Sequence, residues 1–346
     1  MKRTLLYILT LLFLLSSCER KIAYNGEVTQ SKLVLQAEIG EGDTVVRAYV
    51  SRSRFFTELQ NYYWGDSRLQ SAIVEIQRDD QAWQQMDTCL VERKGYLPDR
   101  FFVLHLDSAL RAGERVRIRV SHKDYETITA EQTVVHKPQC RVGDYAGKPD
   151  TLSRTKNYIA LPLVLQEYPF TDATLGVSVS CMLHIYYQQG SNTDERYETV
   201  RFFRSYDQLF ASSNNVASGQ TSFASRYELF VQPGYADGYH VDLEIPFSAS
   251  LYSYMGTMEV VDVTIDTMTV CFNAHSSDSY LYRRSMYLAR GESNTDGALD
   301  IGAEIGEMFG QEEDVQVYSN IAKGYGIFAA CSRYKVVKHD IKTVTQ

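Results

Sequence analysis

The chain has 346 residues, 35 of them basic and 43 acidic, for a formal net charge of −8. That length allows two domains of ordinary size. That sign argues against nucleic acid, whose affinity comes from neutralising phosphates with Lys and Arg, and against electrostatic adsorption to anionic lipid.

The N-terminus carries its own pattern. Lys2-Arg3 precedes an apolar run from Leu5 to Leu15, which is followed by Ser16, Ser17 and Cys18. A run of about eleven residues is too short for a hydrocarbon core of roughly 30 Å and reads as the h-region of a removed signal. Two small residues before a cysteine are the layout of a lipoprotein signal; an ordinary secretory site favours an A-x-A-like end, absent here. Residues 1–17 are expected to be removed and Cys18 to be thioether-linked to diacylglycerol, making attachment effectively permanent once a second lipid signal is present. Losing Lys2 and Arg3 takes the balance to −10. Residues 18–31 are polar and unpatterned and read as a tether.

From Lys32 the texture changes to short β-type segments. The alternation predicts strands over Leu33–Ile39, Val45–Ser51, Ala72–Arg78, Phe101–Leu106, Arg115–Ser121 and Thr127–Val135. The clearest is Arg115-Val116-Arg117-Ile118-Arg119-Val120, with arginines on one side and β-branched residues on the other. An arginine row can bind anions, but antiparallel sheets commonly wet one face, and a solvated face accounts for it. Turns at Gly40-Glu41-Gly42-Asp43 and Ala112-Gly113 join these strands into an immunoglobulin-like β-sandwich over residues 32–136, without the paired hallmark cysteines of antibody domains. A linker follows over residues 137–150, where Lys137-Pro138, Gly143, Gly147 and Lys148-Pro149 break the pattern.

Residues 151–346 read as a second, larger β-rich domain. Strands are predicted over Tyr158–Gln166, Leu175–Gln188, Arg196–Ser205, Arg226–Val231, Tyr239–Phe247, Val260–Ala274, Val315–Ile321 and Gly326–Tyr334. One helix is predicted over Ser279–Ala289, where Tyr280, Leu281, Arg284, Tyr287 and Leu288 recur at helical spacing. Residues 211–225 and 290–300 read as long exposed loops. The fold class is therefore all-β, an N-terminal sandwich followed by a larger β-rich domain with at most one or two short helices.

Signatures of chemistry are scarce. G-x-S-x-G, H-E-x-x-H, the P-loop and G-x-G-x-x-G are all missing. The seven histidines (105, 122, 136, 184, 240, 275 and 339) are scattered singly. Asp79-Asp80 reads as a turn and Glu312-Glu313-Asp314 as a solvated loop. Asn294-Thr295-Asp296-Gly297 lacks the later Glu of a calcium loop. With Cys18 acylated, the remaining cysteines (89, 140, 181, 271 and 331) are odd in number and show no CxxC spacing, so buried free thiols fit better than a metal site. Neither metal nor cofactor is expected. The aromatic loop Tyr62-Tyr63-Trp64 is the strongest lead, since flat apolar faces with polar tips suit a peptide, a glycan or a partner protein; folding back over the sandwich edge is the alternative.

Several segments carry a resemblance. Cys18, the opening strand Lys32-Leu33-Val34-Leu35, Ser71-Ala72-Ile73-Val74-Glu75-Ile76, Gly113-Glu114-Arg115-Val116-Arg117-Ile118-Arg119-Val120, and above all Val317-Tyr318-Ser319-Asn320-Ile321-Ala322-Lys323-Gly324-Tyr325-Gly326-Ile327-Phe328 resemble the Bacteroidetes lipoproteins grouped as the domain-of-unknown-function 4249 family. The likeness spans nearly all of the mature chain. Val116 stands where the family usually has an aromatic, and Pro138 comes later than its usual domain-ending proline. The resemblance implies an outer-membrane, surface-facing accessory lipoprotein encoded near TonB-dependent receptors, with no assigned catalytic residues. Arg20 and Lys21, after Glu19, depart from the acidic stretch that favours surface export, so a periplasm-facing placement stands beside the favoured surface-facing one.

Taken together, the expected function is a non-enzymatic binding or accessory module at the outer membrane. Its partners would be the membrane through Cys18, a TonB-dependent receptor and a peptide or glycan ligand, with no nucleic acid. A structural subunit of a surface assembly or adhesin comes second. An unrecognised hydrolase comes third, and converging Asp, Glu or His side chains in a buried pocket would be its sign.

Overall fold

The computed structural model describes residues 30–53, 69, 71–91, 99–143, 151–154, 158–165, 173–201, 224–225, 228–231, 240–248, 250–253, 256–289 and 317–345. Cys18 and the aromatic loop Tyr62-Tyr63-Trp64 lie outside them, as do residues 290–300 and all of the predicted loop 211–225 except Ala224 and Ser225, which form a short strand. Lys32–Ser53 and Tyr62–Gln346 form one compact unit; of the second, Met1–Ser31 with Arg54–Asn61, only Gln30 and Ser31 are described.

The protein is all-β with one short helix among the described residues. In the first part of the chain lie β1 Leu33–Ile39, β2 Val45–Arg52, β3 Ile73–Arg78, β4 Gln84–Gln85, β5 Asp87–Val91, β6 Asp99–His105, β7 Arg115–His122 and β8 Tyr125–Thr133. Then come β9 Cys140–Val142, β10 Thr151–Arg154, β11 Tyr158–Leu165, β12 Ala173–Gln189, β13 Asn192–Val200, β14 Ala224–Ser225, β15 Glu228–Phe230, β16 His240–Pro246 and β17 Ser250–Ser253. The chain closes with β18 Gly256–Ser276, helix α1 Ser277–Ala289 and β19 Tyr325–Thr345.

One small sheet runs β4-β3-β7-β8, all antiparallel. It faces β1, β2 and β6 across a core that includes Leu35, Ile39, Val74, Phe102, Ile118 and Ile128. That is the sandwich expected from the alternation. Val116, Ile118 and Val120 are fully buried while the arginines between them point outward, as a strand with period two requires. None of those arginines is left for an anion: Arg115 pairs with Asp80, Arg117 with Glu131, and Arg119 with Glu75 while stacking on Trp83 at 4.5 Å.

The second core gathers β11, β12, β16 and β18 around Ile159, Leu183, Tyr187, Leu243, Ile265 and Phe272. Strand β19 joins the two cores. Its first residues run parallel to β1, its middle runs antiparallel to β18, and Lys342 to Thr345 run parallel to β10. Ile321, Phe328 and Ala330, late in the chain, thereby enter the core begun by Leu33. This N- to C-terminal pairing is invisible in local periodicity, which does not encode a distant partner.

One predicted strand is absent. Residues 317–321, the described part of Val315–Ile321, have no ladder partner and form an irregular segment. The amide of Asn320 takes the place of a strand there: Nδ2 donates to the Phe328 carbonyl at 2.8 Å, and Oδ1 accepts the Phe328 N–H at 3.0 Å. Lys323, with φ of 66°, then turns the chain into β19.

Candidate functional site

Helix α1 begins where β18 stops, and the reason is local. Ser276 Oγ accepts the Ser279 N–H at 3.3 Å, an N-cap, and Asp278 sits in the first turn where the helix dipole favours negative charge. Asp278 accepts in turn from the Tyr318 hydroxyl, from Gln132 Nε2 and from Asn320 Nδ2 at 3.0 Å. Burial, then the bond to Asp278, pushes the Tyr318 phenol up to about 12. Ser285 Oγ, further along the helix, accepts the Tyr318 N–H at 2.8 Å. The irregular segment thus fastens the helix to the sheet face.

Beneath α1 is a cleft of about 1220 Å³, floored by β1, β2, β12, β18 and β19 and flanked by β15. Its centre is an ionic cluster. Arg283 of the helix reaches Glu228 on β15 at 3.3 Å with Nη1 and Glu38 on β1 at 3.4 Å with Nη2. Arg333 on β19 also pairs with Glu38. Glu228 accepts from Asn273 Nδ2 at 2.6 Å and from His275 Nε2 at 2.9 Å. Gly176 on the neighbouring strand β12 makes room for it, since a Cβ there would lie 2.4 Å from Glu228 Oε1. Burial alone would raise the Glu228 carboxyl; His275, Arg283 and Asn273 overcome that and hold it near about 2.

His275 continues the chain of contacts. A carboxylate only accepts, so Nε2 carries the proton toward Glu228, and Nδ1 meets Ser279 Oγ at 2.9 Å. The series Ser279–His275–Glu228 has the connectivity of a nucleophile, a base and an orienting acid. Exposure is against it: His275 is 0% and Ser279 2% accessible, and Glu228 is shared with two further partners. Other groups at the cleft are similarly subdued. Burial lifts the Cys271 thiol, and it lifts Asp43 in spite of the Gly40 N–H that Asp43 accepts at 2.7 Å.

Among the described residues, no cluster of three or more His, Cys, Asp or Glu is placed to hold a metal ion. The five described cysteines are all free thiols. No described helix is long and apolar enough to cross a membrane, which leaves strands unaddressed. This site is not legible in the sequence. Glu228 stood inside a predicted strand, in Glu228-Leu229-Phe230-Val231, where a lone acid amid apolar residues was the available signal.

Residues 19–336 match the family model described as Domain of unknown function (DUF4249). The chain belongs to that family. Within DUF4249 the closing motif now has a physical reading. Asn320 is the backbone clamp on Phe328, and Gly326, at φ of 104°, lets β19 approach β1 so closely that a Cβ would fall 1.9 Å from the Leu35 carbonyl oxygen. No curated protein matches this DUF4249 chain. Among solved structures it is similar to a marsupial T cell receptor at 8% identity, over 70% of this chain and 81% of that one, with a TM-score of 0.20, a likeness too slight to bear on fold or function.

Proposed function

We propose that the protein is an outer-membrane lipoprotein, held through Cys18 and facing the cell surface, that acts as a non-enzymatic binding or accessory module beside a TonB-dependent receptor in nutrient capture. The ligand site is the cleft beneath α1. The observation that carries this reading is the state of the cleft's ionisable groups. Glu38 and Glu228 are held by arginines, and Asp43, though lifted by burial, is held by a backbone N–H, so the site presents a shaped polar surface whose acids are engaged within the protein. The lipobox pattern supports the anchor.

Two measurements test it. Labelled palmitate should enter the wild-type protein and fail to enter Cys18→Ala; equal labelling sinks the anchor. Gentle solubilisation of the tagged, lipidated chain should bring down a TonB-dependent receptor; recovery of the chain alone, with no protein partner, sinks the receptor association.

The Ser279–His275–Glu228 series favours a second reading, a serine hydrolase opened by movement of α1. A fluorophosphonate probe separates the two. Labelling of wild type that disappears in Ser279→Ala establishes the hydrolase; absence of labelling keeps the binding reading.

A further inference from the structure

The cleft is locally cationic in an acidic protein. Four arginines line it (47, 201, 283 and 333) against three acids, Glu38, Asp43 and Glu228. Arg283 and Arg333 are spent on the glutamates, and Asp43 is held by the Gly40 N–H. Arg47 and Arg201 have no ion pair or hydrogen bond among the described residues, and both are exposed. Arg47 sits directly across from Glu38 in the β1–β2 register, yet Glu38 is taken by the other two arginines. A low-dielectric cleft focuses such a surplus, and the chain's net −8 sharpens the contrast with its surroundings.

These two arginines, without a partner among the described residues, are far apart. Arg47 lies on β2 and Arg201 directly follows β13, with β1, β19, β18 and β12 between them. At about 4.8 Å per strand spacing, the separation is on the order of 20 Å. One small anion cannot reach both, whereas an extended chain with repeated charge can. Between them Ser180 and Thr269 stand opposite each other on β12 and β18, offering hydroxyls. Tyr49, two residues from Arg47, is 49% exposed; its ring lies tilted against Phe101 at 5.7 Å and still offers apolar surface with a polar tip. The cleft crosses the strands on a sheet face, so an incoming peptide finds no edge there to extend as a further strand. Hydroxyls, a half-exposed ring and separated arginines match a carbohydrate bearing carboxylates.

We infer that the cleft takes an extended acidic oligosaccharide whose carboxylates are received by Arg47 at one end and Arg201 at the other. This rests on the binding-module reading. Guanidinium meets carboxylate in bidentate fashion, and the ring of Tyr49 stacks on a sugar face near the Arg47 end.

The test uses the full lipidated chain in detergent with three probes: a galacturonate hexamer, a neutral glucose hexamer and hexaglutamate. The galacturonate hexamer should bind and shield the cleft thiol Cys271 from alkylation. Arg47→Gln and Arg201→Gln should each weaken it by about tenfold or more, with the far-UV spectrum unchanged. Unchanged affinity in both variants overturns the inference, and so does tighter binding of the neutral hexamer or of hexaglutamate. If the neutral hexamer alone binds and shields Cys271, the acidic class is wrong and the binding reading stands. If none of the three shields Cys271, the inference falls, while the binding reading stands or falls on the receptor-recovery and fluorophosphonate measurements.

Discussion

Asn320 grips the backbone of Phe328 with both ends of its amide, donating to the carbonyl at 2.8 Å and accepting the N–H at 3.0 Å. The same Nδ2 also donates to Asp278 at 3.0 Å. One side chain therefore does what a neighbouring strand would do for β19 and ties that strand to the first turn of α1. Its loss would leave three polar groups short of partners in a half-buried place. Asn320→Ala is expected to cost about 2–3 kcal/mol, read from the midpoint of urea unfolding. A cost under about 0.5 kcal/mol would mean that water replaces the amide freely.

Gly326 and Gly113 form a matched pair for a second test. Both have positive φ, 104° and 82°, but a Cβ at Gly326 meets the Leu35 carbonyl oxygen at 1.9 Å while one at Gly113 meets nothing within 4 Å. Gly113→Ala should cost about 1 kcal/mol, the conformational penalty alone. Gly326→Ala should cost clearly more, about 3 kcal/mol or above, because β1 and β19 must separate. Equal losses in thermal or urea unfolding would show that β1 yields easily.

Thiol chemistry gives a third. Burial lifts the Cys140, Cys181 and Cys331 thiols to about 12, so they are both unionised and shielded at neutral pH. Cys89 and Cys271 are partly exposed. Iodoacetamide should modify Cys89 and Cys271 first in the native protein and reach the other three only on unfolding, as peptide mass mapping would record. Early modification of Cys181 would place the second core open to solvent.

These residues mark what local pattern can and cannot convey. The strand Leu33–Ile39 is legible residue for residue because one face of it is wholly apolar, and the Arg115–Val120 strand is legible for the same reason. The helix is legible to within two residues of its start, since Ser276 caps it without belonging to its apolar face. Strands β4, β9, β10 and β14 have four residues or fewer, too short for a period to register. Val315–Ile321 looked like a strand because its composition is β-type, but Asn320 uses its side chain where a ladder would use backbone. The cleft was hidden for a different reason: Glu38, Glu228, Arg283 and Arg333 are far apart in sequence and meet only once β19 has been laid between β1 and β18. The aromatic loop Tyr62-Tyr63-Trp64, the strongest lead in the sequence, lies outside the described residues.

The buried carboxylate of Glu228 makes acid stability the sharpest test of the cluster. Its folded pKa is depressed from 4.5 to about 2: burial works to raise it, and His275, Arg283 and Asn273 more than compensate. A carboxyl whose folded value lies below its unfolded one adds stability that is complete above the unfolded value and is lost as pH falls through the folded value. The window is therefore about pH 4.5 down to about 2, and the contribution is on the order of 3 kcal/mol. Glu228→Gln cannot ionise and leaves His275 and the Nη1 of Arg283 without their carboxylate. It should be less stable than wild type at pH 7 by about that amount, and its unfolding free energy should vary less between pH 4.5 and 2. Urea unfolding at a series of pH values measures both. If the two proteins lose stability in parallel across that window, the Glu228 charge is not what holds the helix, the sheet and the cleft together.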